Sequence, residues 1–281
     1  MDVIFQAFVM GLVQGLTEFI PVSSSAHLEL VPWILGWEQD ALIGSLSFDV
    51  FLHLGTLIAL LVNVWRDWLR LMRAMVRSII ERRIGEDRDR RLGWLLVLAS
   101  IPAALIGFAF EDAIDAAFHG DDDMSRLAIC GFLVVGAIVL FIADRYGSRE
   151  RDLDHVGAGR ALTIGLSQAA ALLPGISRSG ATMSTALAFG LTRETAARFS
   201  FLLATPITLG AGLYGSRHLL TASHTSTEWV AVVVGFAAAA VSGALAIGFL
   251  LRWLRTRSMA VFSLERIVLA ALVLVLLAVG H

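Results

Sequence analysis

No lysine occurs anywhere in the 281 residues; all 22 basic side chains are arginine, a usage that codon or lineage bias explains. Cysteine is nearly absent too. The one thiol, Cys130, lies in an apolar run, so it forms no intramolecular disulfide and says nothing about redox compartment. Its expected role is a buried spectator. Charge is also scarce: charged residues make up 16% of the chain, against about 25% in a soluble domain. With 57% hydrophobic residues and a mean hydropathy of +0.76, the composition excludes an ordinary soluble domain and describes an integral membrane protein. A net charge of −2, with no basic block interleaved with aromatics, excludes a nucleic-acid partner. The N-terminal apolar run has no basic flank and no small-residue cleavage site, so it is expected in the mature chain rather than in a signal peptide.

Six stretches are long and apolar enough to span a bilayer: residues 46–65, 92–110, 126–143, 196–216, 229–251 and 266–280. Two further apolar regions, 2–38 and 161–193, are broken near their middles. Pro21 with its serines interrupts the first, and Pro174-Gly175 with "SRSG" the second. Proline removes a backbone donor and glycine loosens a helix, so each region is expected as two half-helices folded back into a re-entrant hairpin. Arginine-rich short loops stay cytoplasmic. Nine arginines in 66–91, four in 144–160 and three in 252–257 put those loops inside, whereas six acidic residues in 111–125, with no arginine, put that loop outside together with 217–228. The first hairpin then enters from outside and the second from inside.

Opposite insertion suggests an internal duplication with an odd number of spans per copy. A shift of 154 lays Gly11, Leu12, Gln14, Ser23 and Ser25 on Gly165, Leu166, Gln168, Ser177 and Ser179, and a shift of 151 lays Phe48 on Phe199. The expected fold is an all-α integral membrane protein with six transmembrane helices, two re-entrant helix hairpins and an inverted-topology repeat. Residues 1–281 form one membrane domain. The first repeat is 1–143, hairpin 2–38 plus three spans; the second is 161–281, hairpin 161–193 plus three spans.

Inverted repeats bring broken helices together near the midplane, so the polar residues of the two breaks are expected to meet. Gln14 and Glu18 are four apart and share a helix face, where a carboxylate beside an amide oxygen suits a hard cation; a packing pair is the alternative for Gln14. Glu18 needs compensation at depth, which points to function. Ser23, Ser24 and Ser25 precede His27. One or two of the serines can cap the second half-helix, but the imidazole beside a hydroxyl suits a general base, acid or nucleophile. Glu29 is expected at the rim. In "PGISRSGAT" (174–182), Arg178 sits between serines at a turn opening a helix; with Ser177, Ser179 and Thr182 it reads as a phosphate cradle, the alternative being neutralisation by Glu18 alone. Asp49 and His53 share a face of the first span, as a site or as a pair with each other or with Arg198. "SRERDLDH" (148–155) imitates part of a lipid-phosphatase histidine signature, but its aspartate position falls at Gly159 and its lysine motif is missing, so it is expected to be a charged turn.

"QGLTEFIPVSSSAH" and "PGISRSG", some 150 residues apart, closely resemble the two motifs of the undecaprenyl-diphosphatase family of the bacitracin-resistance type, and "FDVFLHLG" and "RFSFLLATP" extend the resemblance over nearly the whole chain. It implies a bacterial plasma-membrane (inner-membrane), multi-pass enzyme, its active site facing outward, that hydrolyses undecaprenyl diphosphate to the monophosphate with Mg²⁺ or Ca²⁺. By motif position Gln14 and Glu18 fall on the acidic, metal-holding pair, Ser24 and His27 on the nucleophile or base, and Arg178, Ser177, Ser179 and Thr182 on the phosphate grip. The sequence departs in having Gln14 where glutamate is common, Ser25-Ala26 where Thr-Gly is usual, and Asp49 where glutamate is common.

The mechanism expected is attack on the terminal phosphorus by Ser24, deprotonated by His27, or by His27 itself, with a metal-bound water as a further option. Arg178 holds the diphosphate, Glu18 and a divalent cation spread the developing charge, and Ser23, Ser25 and Asp49 line the substrate site. Expected partners are a polyprenyl diphosphate, membrane lipids and a second copy in a homodimer. A lipid flippase or secondary transporter built on the same inverted repeat is the rival function.

Overall fold

The computed structural model describes residues 2–37, 40–118, 122–221 and 225–280, without the side chains of 46, 111–118 and 214–221. The orientation reading of 111–125 and 217–228 falls largely outside these described side chains. The described residues are all-helical, with ten α-helices in chain order: α1 Val3–Phe19, α2 Ser24–Leu35, α3 Leu46–Ile80, α4 Arg88–Phe118, α5 Asp123–Tyr146, α6 Ala158–Ala169, α7 Arg178–Ala188, α8 Arg193–Thr221, α9 Ser226–Leu254 and α10 Ala260–Ala278. Six of them, α3, α4, α5, α8, α9 and α10, contain stretches long and apolar enough to cross a membrane, and the chain is a multi-pass membrane protein.

The spans run longer than hydropathy alone marks them. At about 1.5 Å per residue, the 35 residues of α3 exceed the roughly 30 Å of hydrocarbon in a bilayer. Arginines 66, 70, 73 and 77 end the apolar stretch, but nothing there breaks a helix, so α3 continues as a charged, exposed stalk until Arg82 turns to φ 50°. At α10 the difference matters more: the helix starts at Ala260, which places Arg266 two turns inside it rather than at its mouth.

The breaks fall where expected. α1 stops at Phe19 and α2 starts at Ser24; α6 stops at Ala169, a 3₁₀ turn covers Ala170–Leu172, and α7 starts at Arg178. Gly175 sits in the second break at φ +105°, against the Ile129 carbonyl and the Phe132 side chain, a place and a backbone that exclude a side chain. α1 lies along α9 because Gly11 and Gly15 let its backbone rest on Gly235, Ala239 and Ser242; α6 lies on α4 with Gly165 against the Ala99 carbonyl. Small residues at such contacts replace the hydrophobic drive that lipid removes. α3 pairs with α8 and α5 with α10, while α7 packs on α5, and Ala26 and Leu30 of α2 share a cluster with Ala270 and Val273 of α10. These contacts bring the two breaks together in the interior.

Two side readings are settled by the fold. Cys130 is buried, its thiol directed at the Ala270 carbonyl. "SRERDLDH" folds as an exposed turn ending in a short 3₁₀ helix, Leu153–His155, where the His155 ring meets the Asp152 carboxyl at 2.8 Å and holds it below the usual carboxylate range.

Candidate active site

Each break ends in a serine with a backbone that serine rarely adopts. Ser23 has φ 80° and Ser177 φ 69°, and each caps the following helix: Ser23 Oγ accepts from the Ala26 amide and Ser177 Oγ from the Gly180 amide. Each hydroxyl also lies 3.2 Å from that of the serine two residues on, Ser25 and Ser179 respectively. Positive φ at a non-glycine residue costs on the order of 1–3 kcal/mol and collects at functional sites. The gain is geometric: the first helical residue after each cap, Ser24 in one and Arg178 in the other, is aimed back into the break.

Those two side chains meet on Glu18. Its Oε2 accepts the Ser24 hydroxyl at 2.5 Å and the Gln14 amide at 3.1 Å, and its Oε1 accepts from the Arg178 guanidinium. Arg178 also donates to Thr208 Oγ1 on α8 at 2.5 Å. The Glu18 side chain is 4% exposed and that of Arg178 21%, so the carboxylate is sealed while one edge of the guanidinium remains within reach of a ligand. His53 of α3 comes to 3.6 Å from Glu18 Oε2, its other nitrogen bound to the Asp49 carbonyl. Its side chain is one-third exposed. Pairing of Asp49 or His53 with Arg198 does not occur; Arg198 binds Glu194.

Not every hydroxyl expected in the cradle points there. Thr182 is fully buried and spends its hydroxyl on the Arg178 carbonyl and on Ser200 of α8, tying α7 to its neighbour. Ser179 approaches the carbonyls of Glu18 and Ile20 at 3.4 Å, closing the gap between the breaks. Ser24 is bonded to Glu18 rather than to His27. The His27 ring instead lies between the Ser23 carbonyl, 2.8 Å from Nδ1, and Glu265 of α10, 3.1 Å from Nε2.

Thr208, Ser200, Glu265 and Arg266 were not marked by the sequence. Arg266 is fully buried and donates to the Pro21 carbonyl of the first break at 2.8 Å and to the Ile176 carbonyl of the second at 3.2 Å. The available signal was an ionisable residue in an apolar helix, hidden because 266 stood at the expected edge of its span, where arginines ordinarily mark the membrane surface.

Among the described residues no three His, Cys, Asp or Glu side chains converge as a metal cage. Two buried carbonyl-type oxygens, Gln14 Oε1 and Asp49 Oδ1, have no hydrogen-bond partner. Hard, oxygen-only donors of this kind suit a cation that keeps waters and takes substrate phosphates as further ligands, as Mg²⁺ does.

The arrangement has the groups to receive an anion once Arg178 leaves Glu18. Two adjacent helix N-termini, a partly exposed arginine and a hydroxyl held by a buried carboxylate can grip a phosphate and attack it. Comparison with known proteins agrees with this chemistry. The family model described as bacitracin resistance protein BacA matches residues 7–272. Three similar proteins bear the name undecaprenyl-diphosphatase. That of Thermomicrobium roseum is 44% identical over 273 residues, 96% of this chain and 97% of its own. That of Desulforudis audaxviator is 45% identical over 272 residues, 97% of each chain, and that of Rubrobacter xylanophilus 44% identical over 274 residues, 98% of each. With the family model covering both breaks and nearly all that lies between and beyond them, the chain belongs to the bacitracin resistance protein BacA family.

Proposed function

We propose that the chain hydrolyses undecaprenyl diphosphate to undecaprenyl phosphate and inorganic phosphate in the chamber between the two breaks, recycling the lipid carrier for cell-wall synthesis. The supporting observation is the meeting of Arg178, Glu18 and Ser24 at adjacent helix ends, joined by relatives of that name covering the whole fold. An incoming diphosphate competes with Glu18 for Arg178. A carboxylate released from a guanidinium is a better proton acceptor, so binding of substrate frees Glu18 to take the Ser24 proton at the moment the terminal phosphorus lies beside Ser24 Oγ. The helix N-terminal amides after Ser23 and Ser177 stabilise charge on the phosphoryl oxygens.

Glu18, Gln14 and Asp49 would hold the divalent cation, Mg²⁺ or Ca²⁺, which neutralises phosphate charge when bound. Ser25 and Ser177 line the phosphate side. We further read each break with its flanking short helices as a re-entrant hairpin, and 1–143 and 161–281 as inverted repeats. Support comes from the equal cap geometry at Ser23 and Ser177 and from reciprocal packing, α1 on α9 and α6 on α4, α2 against α10 and α7 on α5. The arginine-rich loops support a cytoplasmic face for 66–91, 144–160 and 252–257; we read the chamber as opening on the opposite, outer face of a bacterial inner membrane, as the family resemblance implies. A homodimer is part of this reading, and light scattering in detergent tests it.

The deciding experiment is phosphate release from undecaprenyl diphosphate by the purified protein in detergent, with and without a chelator. Release that is lost in Arg178→Ala and Glu18→Gln and restored by Mg²⁺ or Ca²⁺ after chelation supports the proposal. Lipid movement across vesicles without release would replace it with the carrier function.

A further inference from the structure

Glu265 lies 238 residues from His27 in sequence, yet its Oε1 is 3.1 Å from His27 Nε2. The two ring nitrogens of His27 are not equivalent. Nδ1 lies 2.8 Å from the Ser23 carbonyl, an oxygen that only accepts, so Nδ1 carries a hydrogen and is committed to the backbone. Nε2 alone is free to gain or lose a proton, and it faces a carboxylate. An ionised Glu265 requires a proton on Nε2; a neutral ring requires the proton on Glu265. For the 3.1 Å contact to be a hydrogen bond, one proton lies between Nε2 and Oε1.

Surroundings add to this. Glu265 Oε2 is buried and has no hydrogen-bond partner, so the hydrogen bonding of this carboxylate rests on the His27 ring at Oε1. The adjacent Arg266 spends its hydrogen bonds on the carbonyls of Pro21 and Ile176 and meets Glu265 only through charge; across the break, Glu18 and Arg178 are engaged with each other. On α2, His27 is three residues after Ser24, a spacing that puts both on one helix face. A phosphate brought to Ser24 therefore arrives beside the shared proton.

We propose that Glu265 is a positioning residue that keeps a transferable proton on His27 Nε2, making His27 the proton donor of the reaction and not its nucleophile. The inference rests on the hydrolase reading above. In the first half, Ser24 Oγ bonds to the terminal phosphorus, its proton passes to Glu18, and the anhydride P–O bond breaks with its electron pair leaving on the lipid phosphate. That oxygen takes the Nε2 proton. In the second half, water attacks the phosphoserine and gives a proton back to Nε2, while Ser24 Oγ leaves and recovers its own proton from Glu18. Glu265 offsets the imidazolium charge in the resting state and at the close of each cycle.

The test is the isosteric Glu265→Gln, assayed for phosphate release from undecaprenyl diphosphate alongside His27→Ala and the double variant. A glutamine amide donates to Nε2, occupying its lone pair and leaving no proton there to give. The expected result is a fall in kcat of at least about tenfold, the scale on which partners of working imidazoles act, with KM and melting temperature unchanged. In the His27→Ala background the same substitution adds nothing. Glu265→Asp, which keeps the charge, retains more kcat than Glu265→Gln, and serves as the comparison if the glutamine variant fails to fold. Wild-type kcat in Glu265→Gln, or a loss that adds in full to that of His27→Ala, overturns the inference while leaving the hydrolase intact. Absence of phosphate release by the wild type overturns the hydrolase itself.

Discussion

The two breaks share a backbone and divide the chemistry. Both end in a serine cap at positive φ with a second hydroxyl 3.2 Å away. After the cap, one presents Ser24 and the other Arg178; one turn earlier, the first carries Gln14 and Glu18 where the second carries Gln168 and Leu172. The first break supplies the groups that accept and move protons, the second the fixed positive charge. The same strained turn, occurring at both breaks, is thus a neutral frame, and the residues hung on it decide what each break does.

Replacing Arg178 by Ser, which gives the second break the residue of the first, breaks the division most severely. Loss of a charge-assisted grip on developing phosphate charge is expected to lower kcat/KM about a thousandfold, measured as phosphate release. Within the first break, Ser24→Ala and Glu18→Gln each lower kcat by about a hundredfold or more, and the double variant is no worse than the poorer single one, because the pair works as a unit. Equal additive losses would show that the hydroxyl and the carboxylate act separately.

A smaller effect probes the shared frame. Gly15→Ala drives a methyl into Ser242 and the Ala239 carbonyl, and Gly165→Ala drives one into the Ala99 backbone. Each is expected to destabilise by about 1–3 kcal/mol, read from melting in detergent; a loss at one position only would show that the two halves are not held alike. The smallest test compares the glutamines. Gln14 is bonded to Glu18, whereas both amide atoms of the buried Gln168 lack partners. Gln14→Leu lowers activity, while Gln168→Leu removes an unsatisfied amide and raises stability by about 1 kcal/mol.

Much of this was legible in the chain. Pro21 and Pro174-Gly175 mark the breaks because the missing donors and loose backbone act locally, and the apolar stretches mark the spans because bilayer thickness sets their length. Glu18 and Arg178 were readable as complementary because a charge at depth needs an opposite one. Partners chosen by packing were not. Nothing in the spacing tells that Ser24 turns to Glu18 while His27 turns to Glu265, or that Thr182 spends its hydroxyl on Ser200. Those choices depend on how α8 and α10 settle against α2 and α7, a property of the assembled bundle.

Arg266 clasps the carbonyls of Pro21 and Ile176 from α10, which follows both breaks in sequence. A ribosome therefore releases every other piece of the chamber before the pin that fastens it. During synthesis both kinks can be inserted and waiting, yet they lock together only after α10 has left the translocon, so a chain cut short before α10 is left unfastened at its centre.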